Sequence, residues 1–192
     1  MKKTWKILLI TLGCFSALLA SGATYFAVVT KDAALDPKKL VLSDDKVEIF
    51  DADDGIVKNA SAFSPRETFR LETLPDKAKF AFVDTEDKRF YDHGGFDYKR
   101  MVKATLKNVR TRSFKEGAST ISQQLIKNTH LSQEKTIERK LKEVKLTYQL
   151  EKKYSKDEIL EKYLNTIYFG HSCFGLQSAA EFYFGKTPQE LD

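Results

Sequence analysis

From Ile7 to Val29 the chain runs for 23 residues without a charge. A helix of that length rises about 35 Å, enough to cross a hydrocarbon core of about 30 Å. Lys2, Lys3 and Lys6 precede the run, and Lys31, Lys38 and Lys39 follow it. A cleavable export signal shares the basic start, but its apolar stretch usually covers only about 7–15 residues. An uncleaved anchor is therefore expected, with cleavage near Ala20-Ser21-Gly22-Ala23 as the alternative. The charge directly beside the span favours an N-terminus inside the cell. The expected organisation is a cytoplasmic tail over 1–6, a transmembrane span over 7–29, a linker over 30–45 and an exported domain over 46–192.

Composition narrows what that domain can be. The chain has 192 residues, 42% of them hydrophobic, and a net charge of +5, which excludes a wholly disordered protein. Two cysteines, Cys14 and Cys173, cannot build a disulfide scaffold or a cysteine zinc site. Three scattered histidines, His93, His130 and His171, argue against a histidine-rich metal centre.

The domain reads as mainly α. Lys46–Phe50 alternates polar and apolar residues, Asp51–Gly55 supplies turn chemistry, and Ile56-Val57 resumes an apolar pair, which predicts a short β-hairpin. Helical spacing begins at Leu74-Pro75, with Ala78, Phe82 and Thr85 on one face. A second helix is predicted over 120–129, opened by the capping box Thr120-x-x-Gln123. A third covers about 134–154, with Ile137, Leu141, Val144 and Tyr148 at helical spacing. The fourth opens on Ser155-x-x-Glu158 and buries Ile159, Leu160, Tyr163, Leu164 and Ile167.

Three polar groupings ask for more than packing. Glu86 falls at a helix end beside Asp84 and Asp87, followed by His93 and paired glycines, a setting for general acid or base work or simply a solvated acidic helix end. On the second helix Thr120, Gln124, Lys127 and Asn128 share a face that could hold a sugar or a phosphate. On the third, Arg139 and Lys140 lie four and three residues before Glu143, an ordinary surface ion pair or a pyrophosphate site. A fourth segment, Lys156–Asn165, reads as supporting core. Residues 99–115 add seven Lys and Arg with no acid. Behind a membrane anchor, such charge suits anionic lipid or lipid-linked phosphate better than nucleic acid.

Four segments in order resemble the peptidoglycan glycosyltransferases of family 51, the transglycosylase domain of class A penicillin-binding proteins and monofunctional transglycosylases. They are Glu86-Asp87-x-x-Phe90-x-x-His93-x-Gly95, Gly117-x-Ser119-Thr120-Ile121-x-Gln123-Gln124, Arg139-Lys140-x-x-Glu143 and Lys156-x-x-Ile159-Leu160-Glu161-x-Tyr163-Leu164-Asn165. The resemblance covers about residues 60–187 and implies a lysozyme-like α-helical domain. It implies an inverting polymerase of lipid II that makes β-1,4-linked glycan and releases undecaprenyl pyrophosphate outside the cytoplasmic membrane. By the same resemblance Glu86 is the catalytic base. Asp87, Phe90 and His93 shape its motif, and Thr120, Gln124, Lys127 and Asn128 contact substrate. Arg139 and Lys140 neutralise the leaving pyrophosphate, and Glu143 positions that pair or a divalent ion. No cofactor is obligatory, with magnesium or manganese as the candidate ions. The implied partners are lipid II, the growing glycan, the membrane and cell-wall synthesis proteins, with no nucleic acid. Ser172 and Phe174 depart from the Gly and Tyr more usual there, and the family's domain continues past the stretch matched by Tyr183–Lys186. The alternatives are a glycan-cleaving lysozyme-like enzyme and a non-catalytic anchored fragment.

Overall fold

The computed structural model describes residues 2–41, 68–111, 117–132 and 134–191. The hairpin expected over 46–57 lies outside them. The described residues are mostly helical, and an isolated antiparallel bridge joins Tyr168 and Phe174.

Helix α1 runs Lys2–Thr30, and its segment Thr4–Thr30 is long and apolar enough to cross a membrane, with none of its most apolar window buried against protein. Five of its hydroxyls are satisfied within the helix. Thr11, Ser16, Ser21, Thr24 and Thr30 each donate to a carbonyl three or four residues earlier, at 2.8–2.9 Å. Such self-satisfaction is what hydrocarbon surroundings demand.

The span does not end in loose chain. Lys145 donates to the Thr30 carbonyl at 2.7 Å, Gln149 accepts from the Leu35 N–H at 3.0 Å, and Leu40 is buried in the core. Residues 30–40, which compose a linker on sequence grounds, therefore pack against the domain.

The helical body comprises α2 (Asp76–Glu86), α3 (Tyr98–Thr111), α4 (Ile121–His130), α5 (Ile137–Lys153), α6 (Lys156–Thr166) and α7 (Leu176–Phe184). α4 is its axis, packed between α5 and α6 with Ile121, Leu125 and Ile126 fully buried. Both predicted capping boxes are present, Thr120 with Gln123 and Ser155 with Glu158. α5 begins three residues later than predicted, because the Thr136 hydroxyl accepts from the Arg139 N–H and so fixes the cap.

Spacing alone did not say which sides of two helices are buried. The apolar stripe of α5 does not face the core, since Ile137 is 75% and Tyr148 53% exposed. The buried side is Glu143, Leu146, Thr147 and Leu150, and the stripe lies on the side where Lys145 meets α1. Helix α3 was legible only as charge: its exposed Tyr98, Met101, Val102, Leu106 and Val109 recur at helical spacing between the cations.

α6 carries the polar clamps that place the segment leading to α2. Asn165 pairs with both backbone groups of Phe69, accepting at 3.1 Å and donating at 2.9 Å, and Glu161 accepts from the Leu71 N–H at 2.8 Å. Beyond α6 the chain turns back so that Gly175 donates to the Ile167 carbonyl at 2.9 Å. Ser172 has φ +62°, a left-handed conformation that glycine takes without strain, which gives the departure at this position a physical cost. Gly175 has φ +81°, and a Cβ there would lie 2.6 Å from the Asn165 carbonyl oxygen. Gly175→Ala should therefore lower stability by roughly 1–3 kcal/mol. Thermal unfolding in detergent micelles checks this, and an unchanged midpoint would contradict the close packing.

Candidate active site

Glu86 and Asp87 are adjacent in sequence and diverge in space. Glu86 is the last residue of α2 and stays half-buried at the rim; Asp87, the C-cap, is fully buried. The Asp87 carboxylate accepts from His93 Nε2 at 3.0 and 3.1 Å and from the Ile121 N–H at 3.1 Å. It thus caps the start of α4, where the helix dipole favours an anion. His93 Nδ1 accepts from the Gly95 N–H at 3.2 Å, which leaves the proton of the neutral ring on Nε2, facing Asp87.

Gly95 is required twice over. Its φ is +88°, and a Cβ would lie 2.9 Å from side-chain atoms of both Thr147 and Glu151 on α5. Its carbonyl accepts from the Thr120 hydroxyl at 2.7 Å. Thr120, expected to touch substrate, is thus fully buried, and its hydroxyl is committed to Gly95 and to the Gln123 N–H. Phe90 is likewise fully buried, under Lys156 at 4.4 Å from its ring centre.

Neighbouring amides on α4 reach opposite ways. Gln123 answers the Thr120 N–H at 3.2 Å with its Oε1 and donates Nε2 to Glu143 at 3.1 Å. Glu143 is only 2% exposed, and both its oxygens are taken: Oε2 by Arg139 at 2.9 Å, Oε1 by Gln123 and Lys140. The Arg139 Nε–H is buried without a hydrogen-bond partner among the described residues, so a donor remains unspent beside this cluster. Gln124 instead donates Nε2 to Glu86 Oε2 at 2.9 Å and accepts from the Tyr163 hydroxyl at 3.1 Å. Lys127 and Asn128 continue the Gln124 face outward and are exposed.

The backbone at Glu86 is held as well. Arg100 donates to its carbonyl. Asp97 caps α3 through the Arg100 N–H at 2.8 Å and makes a two-point pair with Arg89 that includes Nε at 3.0 Å. A cleft of roughly 450 Å³ opens beside this hinge, lined by Lys88, Arg100 and Lys103 among others. Asp97, Arg89 and Arg100 form a group that sequence reasoning missed. The available signal was an Asp three residues before Arg100, at the start of a helix whose apolar residues proved to be exposed.

Among the described residues two sets invite a divalent ion, and in each the ligand atoms are already engaged. Glu143 has its oxygens filled by an amide and two cations. Asp87, His93 and Asp97 bring ligand atoms within 4.8 Å of one another. There, however, a proton already bridges His93 and Asp87, and Arg89 occupies both Asp97 oxygens.

Burial acts to raise the Asp97 pKa, but the Arg89 hydrogen bond, the Arg100 N–H and the charges of Arg89 and His93 outweigh it and hold it below the usual carboxylate value. The pair therefore stabilises the fold above the unfolded pKa of about 3.9 and loses that contribution as pH falls through the lower folded value. The unfolding midpoint of Asp97→Asn should lie well below that of the native protein at pH 7, with the gap narrowing as pH falls below the unfolded value of about 3.9. A gap independent of pH would contradict this.

The chain matches the Transglycosylase family over residues 54–192. It is 41% identical to penicillin-binding protein 4 of Bacillus subtilis, with 97% of this chain and 31% of that protein covered. It is 40% identical to penicillin-binding protein 1A of Clostridium tetani (97% and 24%) and 43% identical to penicillin-binding protein 1A/1B of Bacillus subtilis (97% and 20%). The chain thus spans less than a third of the length of these curated relatives. With the match covering most of its length, the chain belongs to the Transglycosylase family, the glycosyltransferases of family 51.

Proposed function

We propose that this protein is a peptidoglycan glycosyltransferase that polymerises lipid II, with Glu86 as the base. The observation that carries the reading is the state of that carboxylate: Oε2 is fixed by Gln124, and Oε1 has no partner among the described residues. An oriented carboxylate with one open oxygen at a rim can take a proton from a bound hydroxyl.

The reaction balances around that group. The 4-hydroxyl of the acceptor sugar gives its proton to Glu86, and its oxygen bonds to the anomeric carbon of the growing chain. The bond from that carbon to undecaprenyl pyrophosphate breaks, the leaving group takes the electron pair, and attack from the opposite face inverts the centre. Arg139 and Lys140 stabilise the charge that develops on the pyrophosphate. The Arg139 Nε–H has no partner among the described residues, and the Lys140 side chain is 46% exposed. Glu143 and Gln123 hold these two cations in register with α4. Lys127 and Asn128 contact the sugar or phosphate along the same face as Gln124. No step calls for a metal ion.

Localisation follows from the same chemistry. Lipid II keeps its tail in the bilayer, so we read α1 as a single-pass anchor with the domain outside the cytoplasm. α3 supports this reading: five exposed apolar residues alternate with Lys99, Lys103, Lys107 and Arg110, the composition of a helix lying in an anionic interface.

Two experiments test these proposals. Reconstituted protein given labelled lipid II should form glycan polymer, and Glu86→Gln should reduce turnover by roughly 100-fold or more. Full turnover by Glu86→Gln would remove the base, and cleavage of preformed glycan would favour a hydrolase. For α3, a fluorophore at Leu106→Cys, with Cys14 and Cys173 replaced, should be quenched by spin-labelled lipids in vesicles containing anionic lipid. An unquenched probe would contradict the interfacial placement.

A further inference from the structure

Tyr163 sits on α6 among fully buried aliphatic residues and is 1% exposed. Its spacing with Ile159, Leu160 and Leu164 marks it as core, and packing alone would account for a phenylalanine there. The hydroxyl is the part that packing does not explain. It donates to Gln124 Oε1 at 3.1 Å, and the same amide donates Nε2 to Glu86 Oε2 at 2.9 Å.

We propose that Tyr163 is a positioning residue for Glu86, acting through the Gln124 amide; the proposal rests on Glu86 being the catalytic base. What Tyr163 restricts is the freedom of Gln124. A glutamine side chain has several rotatable bonds, and half-exposed at a rim it would sample several poses. Here each departure costs at least one partner. If the amide swings outward, a buried phenol loses its acceptor and a carboxylate loses its donor, and leaving a buried polar group unmatched costs more than a hydrogen bond is worth. If the amide flips in place, its carbonyl faces the carboxylate. One pose remains, in which Glu86 Oε2 is held and Oε1 stays open towards the rim.

Tyr163 stays a donor throughout. Burial first, then the charges of Glu86 and Asp87, push its pKa above that of an ordinary phenol. The group that fixes Gln124 therefore does not titrate in the range where the enzyme would work. Asp87 enters this relay by charge alone, since its own hydrogen bonds go to His93 and Ile121.

Tyr163→Phe removes one oxygen and keeps the ring in the core. In the full chain reconstituted in lipid, kcat for polymerisation should fall by roughly three- to tenfold, with KM for lipid II unchanged. Thermal unfolding reports whether the fold survives. The double variant with Gln124→Leu should lose no more activity than Gln124→Leu alone, because both changes break one relay. Losses that multiply in the double variant, or full kcat in Tyr163→Phe while Glu86→Gln is inactive, would overturn the positioning role and leave the base in place. Wild-type turnover by Glu86→Gln would overturn the base and the relay together.

Discussion

The site depends on how the first turn of α4 satisfies its backbone donors. A helix begins with N–H groups that have no partner inside it. In this chain, partners for that turn come from two places far apart in sequence: the Thr120 side chain accepts from Gln123, and Asp87 accepts from Ile121. The same groups also hold their surroundings, since Asp87 binds His93 and Thr120 binds the Gly95 carbonyl. Capping a buried helix and fastening the 87–95 loop are one set of bonds. Glu86, one residue before Asp87, is placed by that fastening.

Charge is divided across the site by the same geometry. Asp87 is buried with histidine and backbone partners, Glu143 with an amide and two cations, and Glu86 is half-buried with a single amide donor. Three carboxylates thus have three different capacities. Two have their oxygens occupied and organise structure; the third has an oxygen without a partner among the described residues. The cations follow suit: Arg89 and Arg100 secure the chain at Asp97 and Glu86, whereas Arg139 has a donor without a partner among the described residues.

Local signals were the most legible in the sequence. Capping boxes at Thr120 and Ser155 appear where predicted because a cap is settled by residues three apart, and the buried face of α6 follows from simple apolar spacing. The misreadings come from residues whose partners lie far along the chain. Thr120 has the look of a substrate-facing hydroxyl until Gly95 comes to meet it. The spacing from Ile137 to Tyr148 marks a helix without naming its buried side, and the core side of α5 is built around a buried Glu143 that accepts from Gln123. α3 hides its periodicity because its apolar residues face outward. Tyr163 reads as core, and its hydroxyl acquires meaning only once α4 lies against α6. Glu86, Arg139, Lys140 and Glu143 stand out by charge and spacing and take their expected roles from motif resemblance, and the fold supplies the reason that adjacent acids at 86 and 87 differ.

The proposed function rests on a carboxylate with one oxygen fixed and the other without a partner among the described residues, and on a cation pair proposed to receive the leaving pyrophosphate. A structure of the membrane-embedded protein with a non-reactive lipid II analogue tests this most directly. The account predicts the acceptor hydroxyl within hydrogen-bond distance of Glu86 Oε1, Gln124 still on Oε2, and the pyrophosphate against Arg139 and Lys140. An analogue bound with its sugar hydroxyls away from Glu86, or its pyrophosphate away from that pair, would contradict it.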